Sequence, residues 1–161
     1  MKRWLQSLAE TFGLREPSDT PPATPSVKTA VLAIDDDSEF LQTIRDLLRT
    51  HGLDVYIAAS GPKGLNILAS APENLRVLLL DYKMPQFDGM DTLRYVHQIR
   101  RNVKVIAVTA IPLNQLPEEF RRGVDKLIFK PFQTTDLLAA IEEFTSPLPS
   151  APDALSGARV P

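Results

Sequence analysis

Apolar residues in this chain gather in short unbroken runs, separated by segments where they recur every three or four positions. Val31-Leu32-Ala33-Ile34, Val77-Leu78-Leu79-Leu80 and Val105-Ile106-Ala107-Val108 are runs of strand length. Such runs are expected where a strand is covered on both faces. Val55-Tyr56-Ile57-Ala58 and Lys126-Leu127-Ile128-Phe129 are weaker versions. Between them lie helical patterns. Phe40, Leu41, Ile44, Leu47 and Leu48 share a stripe, with Ser38 expected as N-cap and Gly52 as stop. Ser60 precedes a short helix holding Leu65 and Leu68, and Asp88 caps one holding Leu93, Val96 and Ile99. Thr135 begins a last one carrying Leu138, Ile141 and Phe144. Pro112 and Pro117 interrupt the segment from Thr109 to Lys130, so the fourth helix is expected to be short or displaced, starting near Pro117.

Strand–helix units following one another in this way predict an α/β domain, a parallel sheet with helices on both faces. In such sheets ligands bind beyond the carboxyl ends of the strands. Proline punctuates both ends of the chain. Pro17, Pro21, Pro22 and Pro25 mark residues 15–27 as a linker, and Pro147, Pro149, Pro152 and Pro161 mark 147–161 as a tail. The folded domain is expected over 28–146. Ahead of the linker, Trp4, Leu5, Leu8 and Phe12 fall on one helical face beside Lys2 and Arg3. Residues 1–14 are thus either a disordered tail or an amphipathic helix for a partner groove or an anionic membrane surface.

Composition narrows the field. The net charge of −2 provides no basic footprint, so a nucleic-acid partner is not expected. With no cysteine, disulfides and thiolate metal sites are excluded. Gln6, Ser7, Glu10 and Thr11 break the apolar run that an export signal needs, and the chain is expected to be cytoplasmic.

The chemistry sits where the runs end. Asp35, Asp36 and Asp37 follow Ile34, Asp81 follows Leu80, Thr109 follows Val108, and Lys130 follows Phe129. Taken singly, each has a plain reading as a helix cap, a turn residue or a solvated loop residue. Together they do not. Like charges about 4 Å apart repel by roughly 1 kcal/mol in water and about 4 kcal/mol at an effective dielectric of 20. No lysine or arginine interrupts the aspartate run, so a hard divalent cation is the expected partner. Oxygen-only ligands point to magnesium, with manganese and calcium as alternatives.

The order Ile34-Asp35-Asp36, Leu80-Asp81-Tyr82-Lys83-Met84-Pro85, Val108-Thr109-Ala110 and Lys130-Pro131-Phe132 resembles the receiver domain of bacterial two-component response regulators. The resemblance runs from Thr29 to Phe144. It implies a doubly wound, flavodoxin-like sheet of strand order 2-1-3-4-5, and a phosphoryl-accepting switch rather than a conventional enzyme. It implies Asp81 as phosphoacceptor and magnesium held by Asp35, Asp36, Asp81 and the backbone carbonyl of Lys83. It further implies Lys130 and Thr109 as contacts to the phosphoryl group, and Lys130–Pro131 as a candidate cis peptide. The partners implied are a sensor histidine kinase or phosphotransfer protein upstream and a docked protein effector downstream. The family often carries an aromatic switch residue where this chain has Leu127, so Phe129 and Phe132 are the alternatives for that movement. The chain reads as a stand-alone receiver. His51 and His97 read as surface or packing residues. Two rival readings share these residues: a phosphorylation-independent scaffold, and a haloacid-dehalogenase-type phosphatase with Asp35 as nucleophile.

Overall fold

The computed structural model describes residues 28–145. Its strands are β1 (Ala30–Ile34), β2 (Asp54–Ala58), β3 (Leu75–Leu80), β4 (Lys104–Thr109) and β5 (Lys126–Phe129). The helices between and after them are α1 (Ser38–Thr50), α2 (Gly61–Ser70), α3 (Gly89–Ile99), α4 (Glu118–Gly123) and α5 (Thr134–Thr145). The strands pair in parallel in the order β2-β1-β3-β4-β5, as expected. The segments expected at 1–14, 15–27 and 147–161, the amphipathic helix among them, lie outside the described residues.

Side chains alternate across a strand, so each apolar run feeds two cores at once. Val31, Ala33, Val77, Leu79, Ile106 and Val108 pack with Leu41, Ile44 and Leu48 of α1 and Leu137, Ala140 and Ile141 of α5. Leu32, Ile34, Leu78, Leu80, Val105 and Ala107 point the other way, toward Leu68 of α2, Leu93 and Val96 of α3 and Phe120 of α4. The apolar stripes of the helices therefore face the sheet, and the sheet's two faces are closed.

Helix boundaries follow local chemistry. The N-cap of α1 is Asp37 rather than Ser38. Its extended backbone lets Oδ1 accept from the N–H groups of Glu39 and Phe40, both at 3.0 Å. Asp88 caps α3 as expected, accepting from Asp91 N at 2.9 Å. Gly52 stops α1 with φ of 79°, a left-handed conformation that glycine adopts without penalty. α4 is short and starts after Pro117, in keeping with the two prolines. α5 begins at Thr134, one residue before the expected Thr135. No helix among the described residues is long and apolar enough to cross a membrane.

Candidate functional site

The main chain places the strand-end residues before any side chain acts. Asp35 N donates to Ala58 O at 3.1 Å, Asp81 N to Ile34 O at 2.9 Å and Lys130 N to Thr109 O at 2.8 Å. Each of these bonds continues the pattern of the parallel sheet past the strand end. The side chains that follow are thus held in register with one another.

Asp35 and Asp81 are 3% and 7% exposed, while Asp36 stands in solvent. One carboxylate oxygen from each of the three lies within 4.8 Å of the others. Asp35 divides its oxygens: Oδ1 accepts from Asp37 N at 2.9 Å, and Oδ2 accepts from Lys130 Nζ at 2.5 Å. The same ammonium is 4.0 Å from Asp81 Oδ1. The resemblance implies Lys130 as a phosphoryl contact; here it sits on Asp35 with Asp81 just out of hydrogen-bond reach. Lys130–Pro131 is cis. Thr109 is fully buried, and its Oγ1 accepts from Ile111 N at 3.2 Å.

The electrostatics follow from that arrangement. Burial, and then the neighbouring Asp35 charge, push the Asp81 carboxyl from its ordinary 3.8 up to about 6. The Lys130 charge, the Thr109 hydroxyl and the Lys83 backbone N–H pull the other way without cancelling the rise. One ammonium does not balance three carboxylates. Closely spaced hard oxygens with surplus negative charge are the donor set that a magnesium ion requires, so the residues present fit that ion.

The loop from Asp81 to α3 is held tightly. Gly89 N donates to Tyr82 O at 2.8 Å. A Cβ on Gly89 would stand 2.5 Å from Asp81 O and 2.7 Å from Tyr82 Cα, so only glycine lets the helix start approach this peptide. Gln86 takes φ of 65°, a left-handed conformation costly for a residue with a side chain. Phe87 N donates to Pro85 O at 2.7 Å beside it.

Two aromatic contacts go beyond the sequence pattern. The apolar spacing puts Phe40 in the α1 core stripe, but Leu41, Ile44 and Leu48 form that stripe and Phe40 lies on its shoulder. Its ring centre is 4.0 Å from Lys130 Nζ, and it meets Phe132 edge-on at 6.2 Å and 88°. Tyr82, next to Asp81, packs its ring against Phe120 of α4 at 4.8 Å. Phe40 has a local signal in its near-stripe position; the Tyr82–Phe120 pair joins distant segments and leaves none. Leu127 is half-buried against the α2–α4 core, Phe132 is half-buried and Phe129 is 38% exposed. His51 Nδ1 and His97 Nε2 lie 2.9 Å from Leu47 O and 3.0 Å from Gly123 O, away from the acidic cluster as expected.

A family model described as "Response regulator receiver domain" matches residues 31–142. The transcriptional regulatory protein CpxR of Escherichia coli (strain K12) is 33% identical over 113 residues, which are 69% of this chain and 47% of CpxR. The chain thus matches less than half the length of that relative. A response regulator receiver domain protein from Clostridium thermocellum aligns with a TM-score of 0.67 and 33% identity, over 73% of this chain and 94% of that one. The response regulator TrrA of Thermotoga maritima, solved in complex with Mg(2+)-BeF, shares the fold. Its TM-score is 0.65 at 19% identity, over 72% of this chain and 98% of that one.

Proposed function

This chain belongs to the response regulator receiver domain family of two-component systems, and from that premise we propose that Asp81 is the phosphoacceptor of its signalling switch. The observation that carries the assignment is the meeting of Asp35, Asp36 and Asp81, from two adjacent strand ends, with Lys130 4.0 Å from Asp81 Oδ1. The family match favours this reading over a dehalogenase-type phosphatase.

An Asp81 oxygen supplies the electron pair that bonds to phosphorus, while the bond from phosphorus to the donor's leaving group breaks. The donor is the phosphohistidine of a sensor kinase or phosphotransfer protein. Asp35, Asp36, Asp81 and the Lys83 carbonyl would hold magnesium, which when bound offsets the charge on the carboxylates and the incoming phosphoryl group. In this reading Lys130 leaves Asp35 for a phosphoryl oxygen, and the Thr109 hydroxyl donates to another. A group bearing roughly −1.5 to −2 charges then biases the surrounding loops, and a docked protein effector reads the change. Residues 28–146 form the receiver unit in this reading.

The test is labelling with acetyl phosphate and magnesium. Wild type gains an acyl phosphate on Asp81, and Asp81→Asn gains none while keeping its fold. Labelling of that variant at the wild-type rate overturns the assignment.

A further inference from the structure

We infer that Phe40 is a positioning residue for Lys130, its ring face confining the ammonium to the arc between Asp35 and Asp81. The inference rests on the phosphoacceptor reading for its consequence, though its geometry stands independently. Lys130 Nζ has Asp35 Oδ2 at 2.5 Å, Asp81 Oδ1 at 4.0 Å and the Phe40 ring centre at 4.0 Å. That last distance is well inside the range where a ring quadrupole attracts a cation.

A lysine ends a flexible four-carbon stem and gives up considerable rotamer freedom when fixed in place. Something must limit its directions. The Asp35 carboxylate does so on one side, by pairing with its charge. An aromatic face attracts the ammonium yet leaves its charge and its N–H groups free for an incoming anion. It also forms an apolar wall on that side, and the Lys130 side chain is only 23% exposed.

The ring is itself braced. Phe40 sits in the first turn of α1, and its own N–H donates to the Asp37 cap at 3.0 Å. Phe132, on the same loop as Lys130, meets the ring edge-on at 6.2 Å. The turn that carries Asp36 therefore also sets the wall against which Lys130 rests.

The experiment compares Phe40→Leu, which keeps an apolar side chain without a π face, with Phe40→Tyr, which keeps the ring. With urea midpoints confirming folding, Phe40→Leu is expected to slow phosphorylation by acetyl phosphate about 3- to 10-fold, and Phe40→Tyr to stay within about 2-fold of wild type. In a Lys130→Met background, adding Phe40→Leu is expected to cause no further loss. Equal slowing in both backgrounds, or no slowing in either, overturns the inference. An independent readout separates it from the phosphoacceptor reading. The ring should shift the Lys130 Cε proton resonances upfield by NMR, an effect kept in Phe40→Tyr and lost in Phe40→Leu. A wild type that shows the upfield shift but takes no phosphate defeats the phosphoacceptor reading alone. Unshifted Lys130 protons in wild type defeat the positioning role.

Discussion

Replacing Asp81 with asparagine should stabilise the magnesium-free fold at neutral pH. The native carboxyl is raised from 3.8 to about 6 by burial first and Asp35 second. Native wild type therefore binds more protons than the unfolded chain between those values. The contribution of this carboxyl to stability is fully present below 3.8, is lost as pH rises through about 6, and stays absent above that. The difference corresponds to about 3 kcal/mol at a pH of about 7.5, and allowing for imperfect amide hydrogen bonding the expected gain for Asp81→Asn is about 1–3 kcal/mol. Urea unfolding followed by far-ultraviolet circular dichroism measures it, at that pH and near the ordinary carboxyl value of 3.8, with chelator and with magnesium. The gap should close at the acidic end, where both proteins carry an uncharged group at this position. It should also narrow with magnesium, since an ion at about ten times its Kd stabilises wild type by about 1.4 kcal/mol. Equal stability at neutral pH, or a gap as wide in acid, would refute the electrostatic reasoning.

Three further outcomes are expected. Gly89→Ala should destabilise the fold by about 1–3 kcal/mol in urea titrations, because the new methyl meets main chain rather than a side chain that can rotate away. Asp37→Ala should cost about 1 kcal/mol by the same assay, through loss of the α1 cap, whereas Ser38→Ala should cost far less. Magnesium affinity, measured by calorimetry, should weaken as pH falls through about 6, approaching about tenfold per pH unit, because a proton on Asp81 competes with the ion.

Much of this architecture is legible in the sequence because the strands are buried on both faces. Val31–Ile34, Val77–Leu80 and Val105–Val108 have no polar interruption, and the first polar residue after each run marks the strand's end. The acidic cluster can be read for the same reason: Asp35, Asp36 and Asp81, which the fold brings together, directly follow two of those runs. What is not legible depends on contacts between distant segments. Ser38 and Asp37 are both competent caps, and only the extended backbone at Asp37 decides between them. That Lys130 rests on Asp35, or that Tyr82 meets Phe120, is settled by tertiary packing. Phe40 misleads because its spacing nearly fits the core stripe, yet it projects from the edge toward the strand ends.

The missing side chain at Gly89 has a mechanical meaning. With hydrogen in place of a methyl, the Asp81–Tyr82 peptide and the beginning of α3 share a boundary with no slack and no rotamer to absorb a shift. Any side chain at this point would have to part the two and stretch the bond from Gly89 N to Tyr82 O that joins them.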